Sequence, residues 1–128
     1  MQELSAGTGI YAVNASLQLL GADVLIAVWG GTRPHIGSLA VSTSRPAHDL
    51  EKNRSSNVLQ FSFPGHRDEI VARRVSERIA CALQRTVAVS AGIHVPDITP
   101  AGIEAVLENT DALIEKIISL LQASSPEA

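Results

Sequence analysis

Three stretches set a histidine beside glycines and a charged residue at the end of an apolar run. They are Gly30-Gly31-Thr32-Arg33-Pro34-His35-Ile36-Gly37, Pro64-Gly65-His66-Arg67-Asp68-Glu69 and Ala91-Gly92-Ile93-His94-Val95-Pro96-Asp97. Glycine and proline at this density make shaped loops, and such loops on a rigid scaffold are where binding chemistry concentrates. Two chemistries fit the residue types. Arg33 and Arg67 can give charge-assisted contacts to a phosphate, with Gly30, Gly31 and Gly65 letting the anion approach the backbone. Alternatively, neutral imidazoles of His35, His66 and His94 can ligate a divalent metal, with Asp68, Glu69 or Asp97 as an oxygen donor. No close-spaced pair such as His-x-x-x-His is present, which weighs against the metal. A histidine after a strand also commonly serves only its own turn. No Gly-x-Ser-x-Gly or catalytic triad is legible. Cys81 falls on the apolar side of a helix, as an inert core residue does.

Whether the three loops meet depends on the elements between them. Residues 1 to 8 read as a loose tail. From 10 to 19, Tyr11, Val13, Ala15, Leu17 and Leu19 alternate with polar residues, the period of a half-buried strand, and Gly21-Ala22 supplies a tight turn. Asp23 to Trp29 is apolar on both faces, as in a central strand. Residues 38 to 43 predict a third strand, 44 to 57 a polar loop, and Leu59, Phe61 and Phe63 a fourth strand. A helix begins near Arg67, with Val71, Val75, Ile79 and 81 to 83 on its buried side and Arg73 and Arg74 in water. Residues 87 to 90 form a fifth strand. Thr99 caps a second helix with Pro100 at its first position, and its apolar stripe includes Ile103, Val106, Leu107, Leu113, Ile114 and Ile117. Residues 123 to 128 fray.

If the first four strands form an antiparallel meander, the second and fourth end at one sheet edge, and the helix returns the chain so that the fifth ends there too. His35, His66 and His94 then share a rim with both helix starts, and His48 lies at the other end. The expected fold is α+β: a single-layer, mostly antiparallel sheet of about five strands (β-β-β-β-α-β-α) with two helices packed on one face, in one domain over 1–128. Such a sheet leaves its second face uncovered, so a homodimer is expected.

Composition narrows the function. A net charge of -3 and pI near 5.7 argue against nucleic acid, and no apolar run reaches the length of a membrane span. One cysteine excludes an intrachain disulfide. The first residues lack a signal peptide's basic start and apolar core, so a cytoplasmic protein is expected.

The same loops, at 30–37, 64–69 and 92–100 (Gly-Ile-His-Val-Pro-Asp-Ile-Thr-Pro), resemble the signature stretches of the LpdD-like prenylated-flavin chaperones, which accompany UbiD-type decarboxylases of gallate and related phenolic acids. The resemblance runs in order from about Gly9 to Leu121. It implies a fold like the proteasome assembly chaperones. It also implies a non-enzymatic helper that holds prenylated FMN, shields it from oxygen, or delivers it to a UbiD-type decarboxylase subunit. The matching positions are Arg33, His35, His66, Arg67 and His94. Aromatic residues to stack on a flavin are few: Trp29, Tyr11 and two phenylalanines. Two other functions remain open: a metal-dependent enzyme using the three histidines, and an assembly factor that binds a partner protein and no small molecule.

Overall fold

The computed structural model describes residues 2–46, 54–63 and 68–123. The backbone forms one six-stranded sheet in the order β1-β2-β3-β6-β4-β5. The elements are β1 (Gln2–Ala6), β2 (Val13–Leu20), β3 (Asp23–Gly31), β4 (Ser38–Pro46), β5 (Arg54–Ser62), α1 (Glu69–Leu83), β6 (Val87–His94) and α2 (Pro100–Ala123). A single 3-10 turn, Gly9–Tyr11, links β1 to β2. This is the expected α+β architecture with both helices on one face, and the sheet has one strand more than the pattern predicts.

Alternation decides which side each strand buries. Val13, Ala15 and Leu17 of β2, Val24, Ile26 and Val28 of β3, and Val87, Val89 and Ala91 of β6 all turn to the helices. Each fully buried Val or Ile contributes about 1.5–3 kcal/mol by leaving water. The turn at Gly21, with φ of 64°, closes the β2–β3 hairpin with two residues between Leu20 and Asp23, as the sequence predicts. Helix α1 buries Val71, Ala72, Val75, Ser76, Ile79 and Ala80. Small residues on both sides bring it close to β4, where Ser42 Oγ donates to Ser76 Oγ at 2.7 Å. Helix α2 buries Val106, Leu113, Ile114, Ile117 and Leu121. Arg74 and Arg78 of α1 reach Asp111 of α2 at 3.4 and 3.7 Å, and Arg78 also pairs with Glu115. The arginine row expected to face water is therefore a partly exposed strap between the helices, weak pair by pair.

Four expectations are corrected. Residues 2–6 are not a tail: they pair with β2 from Gln2↔Leu17 to Ala6↔Val13, and Lys116 Nζ holds the Ser5 carbonyl at 2.8 Å. Five residues carry too little alternation to be read alone, and the edge of β2 supplies what the pattern lacks. The 44–57 loop is shorter than expected, because the β4–β5 ladder continues from Thr43↔Asn57 to Pro46↔Arg54. Backbone hydrogen bonds do not require an apolar pattern. Ile103, expected in the apolar stripe of α2, is exposed. The meander is broken as well: β6 inserts between β3 and β4, parallel to the first and antiparallel to the second. Its Val-Ala-Val-Ser-Ala-Gly sequence has no charge on either side, which suits a central strand. Strand direction is nevertheless as deduced. β3, β5 and β6 run the same way and end, at Gly31, Ser62 and His94, along one rim. His48 lies outside the described residues.

Candidate functional site

The insertion of β6 explains the loop from 32 to 37. Strands β3 and β4 are not neighbours, so the chain between them must pass across the end of β6. It does so under tight backbone control. Thr32 N–H donates to the His94 carbonyl at 2.8 Å, Gly37 N–H donates to that of Ala91 at 2.9 Å, and Phe63 N–H donates to the Gly37 carbonyl at 2.9 Å. The glycines are required by space. A Cβ on Gly92 would lie 1.6 Å from the His35 carbonyl oxygen, and one on Gly31, where φ is 75°, would lie 1.9 Å from that of His94. Neither neighbour can yield, because each is backbone.

Asp68 is the hub of this crossing. It stands at the N-cap of α1 and is 5% exposed, yet its side chain makes no capping bond. Instead its Oδ1 accepts the Ile93 N–H at 2.9 Å and its Oδ2 meets His35 Nε2 at 3.0 Å. A Cβ on Gly37 would collide with that same Oδ2, at 1.9 Å. His35 Nδ1 lies 2.9 Å from the Arg33 carbonyl, which has only lone pairs to offer, so Nδ1 carries the proton there. The Nε2–Oδ2 contact then needs one further proton, on the ring or on the carboxyl. Both ring nitrogens of His35 are thus engaged on oxygen. A metal at Nε2 would have to displace Asp68, the group that ties the loop to α1.

The two helix starts at the rim differ. Thr99 Oγ1 accepts the Gly102 N–H at 3.1 Å and caps α2 as the sequence predicts. With Asp68 turned inward, α1 begins without a side-chain cap from the described residues. Its first-turn N–H groups keep the donor character that attracts anions.

The sequence-predicted site residues divide into two sets. Gly30, Gly31, Arg33, His35 and His94 lie at the rim: Arg33 is exposed, while His35 and His94 are half-buried. His35 turns to Asp68 on the helix side, whereas alternation along β6 puts His94 on the open side with Ser90. Gly65, His66 and Arg67 lie outside the described residues. Among the described residues no three His, Cys, Asp or Glu side chains gather as metal ligands do. From the sequence Asp68 is a candidate oxygen ligand, and the structure makes it a clamp instead. The signal for that role is a glycine, Gly37, facing the acid across the loop.

Comparison with known proteins decides the family. Residues 7–122 match the model of the prenylated flavin chaperone LpdD-like domain. The chain belongs to the LpdD-like family. It is 39% identical over 118 residues to Protein LpdD of Lactiplantibacillus plantarum, covering 92% of this chain and 83% of that protein. Its fold is also that of a chain from a chaperone complex for yeast 20S proteasome assembly, with a TM-score of 0.56, 13% identity and 95% of each chain covered. At that identity the second likeness concerns architecture alone. In this LpdD-like chain the rim is built on segments 30–37 and 92–100 together with Asp68, from the described end of segment 64–69, all of which carry the resemblance. No helix of those residues is long and apolar enough to cross a membrane.

Proposed function

We propose that this protein is a non-enzymatic chaperone that binds prenylated FMN at the rim and passes it to a UbiD-type decarboxylase. The observation that carries the reading is the match of residues 7–122 to the prenylated-flavin chaperone model. The geometry is compatible with it. In this reading a flavin phosphate meets the first-turn N–H groups of α1, which take no cap from Asp68, and the exposed Arg33 reaches it from the crossing loop that His35 ties to Asp68. Of the ring carriers considered from sequence, Trp29 is near the rim: it is half-buried on the open face, and its strand neighbour there is Gly92, which has no side chain to cover it. In this reading His35 positions the loop rather than touching the cofactor, while His66, Arg67 and His94 remain proposed contacts. A metal site at the three histidines has less support, because both nitrogens of His35 are already engaged.

Anaerobic titration with reduced prenylated FMN tests this. Wild type binds with a flavin fluorescence change, Arg33→Ala weakens binding about tenfold through loss of one charge-assisted contact, and Thr99→Ala leaves it unchanged. Equal affinity in wild type, Arg33→Ala and His66→Ala removes the rim assignment. No binding at all, with co-purification of a decarboxylase subunit, makes the protein an assembly factor without a small-molecule ligand.

A further inference from the structure

The two edges of the sheet are guarded unequally. At one, β1 is five residues long, carries the exposed charge of Glu3, and has its Ser5 carbonyl taken by Lys116 Nζ at 2.8 Å. Short length, charge and a covered backbone group are ordinary means of refusing another strand. At the other edge, β5 is nine residues long, and its pairing with β4 runs from Ser38↔Ser62 to Pro46↔Arg54 without a bulge. After Arg54 it contains no charge and no proline. The direction of its backbone groups follows from one bond. Phe63 N–H donates to the Gly37 carbonyl in continuation of the register, so residues 57, 59 and 61 also bond to β4. The alternate residues Ser56, Val58, Gln60 and Ser62 therefore turn their N–H and C=O groups away from the sheet. Among the described residues no strand takes them, because β5 ends the sheet order. This free edge also leads to the rim. Beyond Ser62 the chain is bonded to the crossing loop through Gly37, and Gln60 Nε2 donates to the Glu69 carbonyl in the first turn of α1 at 2.6 Å.

We infer that the free edge of β5 takes an extended segment of the apo-decarboxylase as an added strand, and so brings the recipient of the cofactor to the rim. The identity of this partner rests on the flavin-chaperone reading, whereas the surface rests on the sheet alone. The order of residues along β5 favours a different protein over a second copy. Its first half, Arg54-Ser55-Ser56-Asn57, is polar, while Val58, Leu59 and Phe61 make the half nearer the rim apolar. A two-fold axis at the middle of the strand reverses one copy against the other. It would set Asn57 in register with Leu59 and Ser55 with Phe61, pairing polar with apolar along the seam. A partner strand whose own apolar residues lie toward the rim meets no such mismatch. The segment that fits is extended and uncharged, with β-branched or aromatic residues at the alternate positions flanking Leu59 and Phe61. Four N–H and four C=O groups of ordinary strength, set against the cost of association, make a complex that can be released, as handover requires.

The test uses the full chain and a purified UbiD-type apo-decarboxylase subunit, with amide hydrogen exchange read by NMR. In the chain alone the amides of Val58, Gln60 and Ser62 are expected to exchange fast, and on adding the subunit to slow at least about tenfold. Those of Leu59 and Phe61, bonded to β4, are slow in both. Val58→Pro deletes one outward N–H and no bond to β4, and is expected to weaken association at least about tenfold. Val58→Thr keeps the N–H and binds as wild type. Titration with reduced prenylated FMN is expected to give the same affinity in all three proteins. A complex in which the amides at 58, 60 and 62 still exchange fast overturns the inference. So does a Val58→Pro variant that binds the subunit as wild type does, or a Val58→Thr variant that loses as much as Val58→Pro. Protection of the same amides in the chain alone as its concentration rises assigns the edge to a second copy and overturns it too. No complex with the subunit while the flavin binds overturns the inference and leaves the flavin reading standing, whereas neither binding overturns both.

Discussion

The two helices start at the same rim of the same sheet and treat their first turns in opposite ways. At α2, Thr99 does what a capping residue ordinarily does: its hydroxyl accepts the Gly102 N–H, and the helix end is satisfied from within. At α1 the capping residue is a better acceptor, an aspartate, and it is spent elsewhere. Asp68 ties the end of β6 through Ile93 and the crossing loop through His35, leaving the helix start open. The difference separates a helix end held by its own cap from one whose first residue serves the neighbouring strand and loop. An aspartate that forgoes capping to hold a loop takes no first-turn N–H of its own helix and fixes the loop that carries Arg33.

That contrast can be broken or sharpened by substitution. The largest effect is expected at the crossing itself. Gly92→Val places a branched side chain where the His35 carbonyl now lies, 1.6 Å from the position of its Cβ. A loss of about 3 kcal/mol or more, measured by urea denaturation, is expected from such overpacking. A loss below about 1 kcal/mol would mean that the loop can lift off β6, and the clamp would then not be rigid. Next is Asp68→Ala, which strands the Ile93 N–H and one His35 nitrogen in a buried setting and is expected to cost about 2–3 kcal/mol. Asp68→Asn keeps an acceptor for Ile93 and should cost less. Thr99→Ala is the counterpart at α2, with an expected loss of about 1 kcal/mol, the usual value of a cap. If Asp68→Ala and Thr99→Ala were equally mild, the two helix starts would be energetically alike and the distinction drawn between them would fail.

Much of the frame was legible from the chain. The alternation through Val13, Ala15 and Leu17, the Gly21 turn and the unbroken apolar run of β3 specify a hairpin on local grounds. Thr99-Pro100 announces the start of α2 in the same way. Counting reversals also placed the ends of β3, β5 and β6 at one rim, because inserting β6 between β3 and β4 changes neighbours without changing directions. What was not legible is who sits beside whom. β1 is a strand only because β2 offers it an edge, and the 30–37 loop is long because it must clear β6. The partners of Asp68 come from residues 25 and 33 positions away in sequence, and no local period encodes such a meeting.

By itself the sequence determined the strand and helix segments other than β1, their directions, the cap at Thr99 and the likeness to a chaperone family, since each is carried by residues close in the chain. Only the tertiary structure decided that Asp68 is a clamp, that both nitrogens of His35 are taken, and that β6 lies between β3 and β4. Those are facts about distance, set by which strands lie side by side, and strand order is chosen by the packing of the whole core.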